Sequence, residues 1–228
     1  MSNNQPNGRG RVVLRPLLVI FDWDGTLIDS EAAIVPAMTE AYVQEHEEPP
    51  SYEAIRAIIG LSLADAVNRL TPALAADAVS RIVINYRRNY AARRTTPALF
   101  PGVRETLVSL KSIGYQLAVA TGKSRAGLAQ AIDETGLGDT FVTTRAADQT
   151  EPKPSPAMLH AILDDLGLGA AEALMIGDTE FDMAMARAAG MQPAGVSYGA
   201  HTVERLRSHD PAFVLNHFSE LPSALTNL

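Results

Sequence analysis

Leu18-Val19-Ile20-Phe21-Asp22-Trp23-Asp24-Gly25-Thr26 sets how the rest of the chain reads. Four apolar residues run into two carboxylates one residue apart, and an Asp-Gly turn signal follows at once. A short apolar run bounded by glycine reads as a buried strand, here about Leu17–Asp22, of the kind covered on both faces in a parallel sheet. Its end delivers two like charges to one spot. Such crowding opposes ionisation unless a cation or a reaction makes use of it. Turn chemistry alone also accounts for Asp-Gly, so the remaining chain has to choose between a polar strand end and a site.

Downstream the pattern is helical from about Glu31 to Glu45, until Glu48-Pro49-Pro50 breaks it. Ser51 is an N-cap candidate, Leu63–Leu70 carries apolar residues at helical spacing, and Thr71-Pro72 separates this from a longer segment around Leu74–Tyr90. With no strand signal in it, 30–97 reads as an inserted all-helical domain. After Phe100-Pro101-Gly102 helices and strands alternate. A helix at Val103–Ile113 leads to a strand at Tyr115–Ala120, and a helix from about Ser124 stops at Gly136. A short strand near Phe141–Thr143 and a loop at Asp148–Pro154 follow. Then come a helix at about Pro156–Leu166, a strand at Ala173–Ile176, a helix at Phe181–Ala189 and a strand near Pro193–Val196. Alternation of this kind predicts an α/β fold, a three-layer Rossmann-like parallel sheet built from 16–29 and 98–228. Residues 1–15 are polar and read as a disordered leader. The segment after Ser197 has no clear pattern.

Over 228 residues, 46% hydrophobic and 20% charged, the composition is that of an ordinary globular chain. A net charge of −7 argues against a nucleic-acid surface. The absence of cysteine excludes disulfide and thiol chemistry and fits a cytoplasmic protein. No apolar run reaches the ~18 residues of a membrane span.

In an open parallel sheet the ligand crevice lies beyond the carboxyl ends of the strands. The first strand delivers Asp22 and Asp24 there, the second Thr121-Gly122 at the start of a helix. The loop after the third holds Lys153 between Pro152 and Pro154, and the fourth gives Gly177-Asp178 and, one helical turn on, Asp182. Asp22, Asp178 and Asp182 have the hardness Mg²⁺ prefers; that ion keeps waters or substrate phosphate as its other ligands. Thr121 and the helix amides beside it suit an anion, and Lys153 would neutralise part of the same anion. A metal, an anion cradle and a lysine around a free carboxylate describe phosphoryl transfer. Of the other lysines, Lys111 sits on a surface helix. Lys123 imitates the tail of a P-loop, but Leu117 stands where that motif needs glycine. Glu180 reads as a first-turn acid suited to the helix dipole, and Trp23 as a packing residue. The five histidines, His46, His160, His201, His209 and His217, show no metal-site spacing.

The four pieces, Asp22-Trp23-Asp24-Gly25-Thr26, Thr121, Lys153 and Gly177-Asp178 with Asp182, stand in the order and spacing of the haloacid dehalogenase (HAD) superfamily. The chain resembles it from about Leu17 to Val196, and the helical insertion resembles that superfamily's first type of cap. The resemblance is nearest to the phosphoglycolate-phosphatase-like phosphatases. It implies that Asp22 attacks phosphorus to form an aspartyl-phosphate and that Asp24 first protonates the leaving oxygen and then activates water. It further implies that Thr121, Gly122 and Lys153 bind the phosphate, and that Mg²⁺ is held by Asp22, Asp178, Asp182 and the backbone carbonyl of Asp24. In the cap, Arg56 and the turn around Gly60 are the candidates for substrate contact.

The implied activity is Mg²⁺-dependent hydrolysis of a small phosphorylated metabolite, a phosphomonoester of the phosphoglycolate kind. The partners expected are that metabolite alone, with no nucleic acid and no membrane, in a monomer or dimer. A dehalogenase would lack Asp24, and a phosphonatase would need a cap lysine, which 30–97 does not contain. A phosphomutase of the β-phosphoglucomutase type and a pyrophosphatase remain alternatives. A receiver-like module would carry its phosphorylated aspartate on a later strand, before the threonine, and a non-catalytic Mg²⁺-binding scaffold would have little use for both Asp22 and Asp24.

Overall fold

The structure, a computed structural model, describes residues 16–93 and 97–228; the leader expected at 1–15 lies outside the described residues. Strand β1 (Leu18–Phe21) is apolar throughout because both its faces are covered. Val19 and Phe21 point into one core with Val103, Leu107, Val119, Ile176 and Phe218. Leu18 and Ile20 point into the other, with Ala118, Met158, Ile162 and Met175. This alternation is the period of two that a strand imposes.

Around β1 the strands β4 (Gln116–Thr121), β5 (Thr143–Ala146), β6 (Ala173–Gly177), β7 (Gln192–Val196) and β8 (Val214–Leu215) form one sheet in the order β5-β4-β1-β6-β7-β8. Every pairing in it is parallel, and Phe21 lies opposite Val119 on one side and Ile176 on the other. Helices α5 (Val103–Ser112), α6 (Arg125–Thr135), α7 (Ala157–Leu166) and α8 (Glu180–Ala188) connect the strands. Reading the chain alone misplaces β5, which runs over Thr143–Ala146 and not Phe141–Thr143. Phe141 packs edge-on against Trp23, with ring centroids 6.1 Å apart, and the strand proper is a half-buried edge of polar residues with little hydrophobic signal. The segment after Ser197 forms α9 (Val203–Arg207), the edge strand β8 and α10 (Leu221–Thr226). Phe218, Leu221 and Leu225 close the core beneath α5.

Between a two-stranded antiparallel ribbon, β2 (Ile28–Asp29) and β3 (Ala98–Leu99), lie α1 (Glu31–Gln44), α2 (Tyr52–Arg56), α3 (Leu63–Leu70) and α4 (Ala76–Ala92). Ser51 and Ser62 cap α2 and α3, each accepting from an amide three residues on. These helices share a core of Ile34, Met38, Tyr42, Ile55, Val67 and Ile82, separate from the two beside the sheet. The described residues contain no helix long and apolar enough to cross a membrane.

Candidate active site

β1 and β6 are neighbours in register, so the residues that follow them, Asp22 and Asp178, emerge side by side. Asp182 comes one turn into α8. The three carboxylates are fully buried, and each offers an oxygen within 4.8 Å of the others. Lys153 is buried among them, its Nζ 2.8 Å from Asp22 Oδ1 and 2.7 Å from Asp182 Oδ1. Asp182 Oδ2 accepts from the amide and the hydroxyl of Thr179. Asp178 accepts from Thr26 Oγ1 at 2.8 Å and from the Ala200 amide at 2.7 Å. Asp22 Oδ1 also accepts from the Trp23 amide, whereas Asp22 Oδ2 is buried with no partner among the described residues.

Burial raises the Asp22 carboxyl well above its ordinary range; Lys153 opposes this, and Asp182 and Asp178 add to it. Burial and then Asp182 push Asp178 up to about 7, against the pull of the Ala200 amide and Thr26. Burial would lower the Lys153 amine, but Asp182 and Asp22 hold its ammonium above the usual lysine range. Three carboxylates against one ammonium leave two negative charges in excess. An orphaned oxygen, hard donors and that excess fit a divalent cation.

Asp24 leaves this cluster. Its Oδ2 pairs with Lys123 Nζ at 3.0 Å, its Oδ1 is buried without a partner among the described residues, and it lies on the wall of a cavity of about 490 Å³. Its side chain is therefore not one of the clustered acids; the metal contact implied by resemblance concerned its carbonyl. Asp22 does not border the cavity. Thr121, at the end of β4, is buried and accepts from the Lys123 amide through its hydroxyl oxygen, which leaves the hydroxyl proton to give. The helix start beside it offers less than the sequence suggests. Ser124 Oγ already takes the Gly127 amide, and Asp148 takes that of Arg125.

The helical insertion closes over this site through the turn at Gly60. A β-carbon on Gly60 would lie 3.7 Å from Asp22 Oδ2, and one on Gly122 would meet the carbonyls of Gly60 and Leu61 at 2.4 Å. Gly60 and Gly122 therefore face each other beside the cluster, and both line the cavity. Arg56 does not line it, contrary to its selection as a substrate contact. Its Nε pairs with Glu31 at 2.9 Å and its Nη2 donates to the Gly199 carbonyl at 2.5 Å. It ties the insertion to the loop after β7 instead.

Several residues of the site escape a reading of the sequence. Lys123, dismissed with the P-loop, is the ionic partner of Asp24 and sits 5.0 Å from the centroid of the Tyr90 ring. Its place two residues after Thr121, at a helix start, was the available signal. His201 lies between insertion and sheet, with Nε2 3.1 Å from the Ala57 carbonyl and Nδ1 accepting from the Glu180 amide. Glu180 is more than a dipole acid, for it pairs with Arg205.

The family described as haloacid dehalogenase-like hydrolase matches residues 19–196. "Probable phosphatase IndB" of Dickeya dadantii (strain 3937) is 38% identical over 212 residues, 91% of this chain and 92% of that protein. A phosphoglycolate phosphatase of Pseudomonas savastanoi pv. phaseolicola is 30% identical over 213 residues, 90% of this chain and 78% of that one. In fold, a hydrolase from Pseudomonas syringae superposes with a TM-score of 0.85 at 24% identity, over 93% of this chain and 99% of that one.

Proposed function

We propose a mechanism and a cofactor on one premise: the chain belongs to the haloacid dehalogenase-like hydrolases and is a phosphatase of that family. It hydrolyses a small phosphomonoester with Mg²⁺, through an aspartyl-phosphate on Asp22. The observation that carries this reading is the arrangement of the two acids. Asp22 lies buried in a carboxylate cluster with Lys153, while Asp24, two residues on, stands on the cavity wall outside that cluster.

Asp22 Oδ1 is held by Lys153 and the Trp23 amide, so Oδ2 is the oxygen left for a cation or for phosphorus. Asp22 attacks phosphorus and the bond to the alcohol oxygen breaks. Asp24, in the protonated form that the hydrolytic half of the cycle regenerates, gives that oxygen a proton, and the free alcohol leaves through the cavity. Water then attacks the phosphoryl group, Asp24 takes its proton, and the bond to Asp22 breaks to release inorganic phosphate. Lys153 and the Thr121 hydroxyl neutralise and orient the phosphoryl oxygens. Asp22 and Asp178, with Asp182 beside them and the Asp24 carbonyl implied by resemblance, would hold Mg²⁺, which when bound supplies charge neutralisation and polarises the phosphoryl group.

The insertion over 30–97 acts as a cap on a core of 16–29 and 98–228. With the turn at Gly60 beside Asp22, the cap lifts to admit substrate and closes to shield the reacting groups from bulk solvent. Phosphoglycolate, named in several relatives, is the reference against which other esters are measured. Asp22→Asn should abolish turnover while leaving the circular dichroism melt intact, and EDTA should stop the wild-type reaction until Mg²⁺ is restored. Full activity in Asp22→Asn, or turnover that survives thorough metal removal, sinks the corresponding half of the proposal.

A further inference from the structure

We propose that the alcohol of the ester taken by this site carries a flat, largely apolar ring and is not a two-carbon acid; this rests on the phosphomonoesterase reading above. The cavity bordering the site measures about 490 Å³, within the ~300–1,000 Å³ of sites that hold ligands of drug size. Asp24 stands on its wall, whereas Asp22 is buried and does not border it. The phosphoryl group therefore sits out of the cavity and the alcohol projects past Asp24 into it.

Much of the lining on the insertion's side is apolar. Ile34, Met38, Ile58 and Val83 contribute side chains from the insertion. A carboxylate placed against these four side chains loses its water and finds no partner among them, which is unfavourable; the guanidiniums that also line the cavity are Arg93, already paired with Glu40 at 2.8 Å, and Arg87. The cation at the reacting end, Lys123, is already tied to Asp24 at 3.0 Å. Two tyrosines also line the cavity. Tyr86 and Tyr90, one turn apart on α4, are stacked with centroids 5.8 Å apart and planes at 28°. Such rings add a preference for aromatic partners beyond area alone. A two-carbon acid would touch little of this surface; a flat ring would cover it.

The test compares kcat/KM for 2-phenylethyl phosphate and 2-phosphoglycolate on the full chain with Mg²⁺, with acetyl phosphate as a generic third substrate. The first two are both alkyl esters, so intrinsic leaving ability does not decide between them. The wild type should favour 2-phenylethyl phosphate by at least tenfold. In Tyr86→Leu and Tyr90→Leu, which keep an apolar side chain on the helix, that ratio should fall at least fivefold. A preference for 2-phosphoglycolate, or a ratio that neither substitution moves, overturns the inference. Turnover of acetyl phosphate without the ring preference overturns it while leaving the phosphatase reading standing, and no turnover of any of the three overturns both.

Discussion

Substituting Gly25 by alanine should disable the site through a single methyl group. Gly25 has φ of +80°, and a β-carbon there would lie 2.2 Å from Asp178 Oδ2 and 2.7 Å from its Cγ. Ordinary contact begins at 3.4 Å, so the carboxylate has to retreat by about 1.2 Å, a shift of the size that loses ~10²-fold in rate. It has nowhere to go. Thr26 and the Ala200 amide hold its two oxygens, and a β-carbon on Gly199 would already lie 2.2 Å from Asp178 Cβ. The left-handed backbone costs about 1–2 kcal/mol with a side chain, and a weakened hydrogen bond to a charged acceptor about 1.5–3 kcal/mol more. Gly136→Ala is the control. It shares the left-handed conformation, φ +62°, with nothing within 4 Å of its β-carbon, so it carries the strain alone, ~1 kcal/mol with wild-type kinetics. Urea unfolding should therefore place Gly25→Ala roughly 3 kcal/mol below wild type. Its kcat/KM should fall about 10²-fold, and its half-saturating Mg²⁺ should rise. Kinetics and Mg²⁺ dependence within twofold of Gly136→Ala would refute the reasoning.

Lys153→Met leaves two buried carboxylates without their cation, so turnover should vanish and urea unfolding should show a loss of about 3–5 kcal/mol; a variant as stable as wild type would show that the pair is not what offsets their burial. His201 is held below its ordinary pKa chiefly by burial, so on acidification the unfolded chain takes up this proton first. Its contribution to stability is complete above about pH 6.5 and is lost as pH falls from there through the lowered folded value. Unfolding curves should lose slope in that window in His201→Gln, and an unchanged slope rejects the assignment. Arg56→Ala removes a pair and a hydrogen bond that lie off the cavity; stability should drop by about 1 kcal/mol with the ratio of kcat/KM between two esters unchanged, and a changed ratio would return Arg56 to the substrate.

What the sequence disclosed and what it hid divide along physical lines. A strand buried on both faces has to be apolar at every position, so β1, β4 and β6 stand out, and with them the residues at their ends. An edge strand faces no such demand. β5 is Thr-Thr-Arg-Ala and half-buried, so its hydrophobic signal comes from Phe141, which packs outside it. β8 is two residues long and too short to show any period. Long-range partners are equally silent. Nothing near Arg56 in the chain announces Glu31 or the Gly199 carbonyl, and nothing about Ala200 announces that its amide holds Asp178. Backbone donors leave no trace in side-chain identity.

The deepest consequence of the fold is that Asp22 and Asp24 occupy different electrostatic settings despite being two residues apart. Asp22 ends β1 and stays in the buried layer, where Lys153, Asp178 and Asp182 converge from β6, α8 and the loop before α7. Asp24 lies past the strand, where the chain turns at Gly25 and the sheet no longer dictates direction, and it pairs with Lys123 from the β4–α6 turn instead. The two carboxylates thus face different ammonium groups. Asp22 shares Lys153 with Asp182, so its cluster keeps an excess of negative charge that a bound cation would balance. When Asp24 is ionised, Lys123 balances it one to one on the cavity wall. A group that must stay ionised to attack phosphorus belongs with the cation, and a group that must pass a proton to the departing alcohol belongs where that alcohol leaves. On the proposed mechanism, that division of labour follows from where β1 stops.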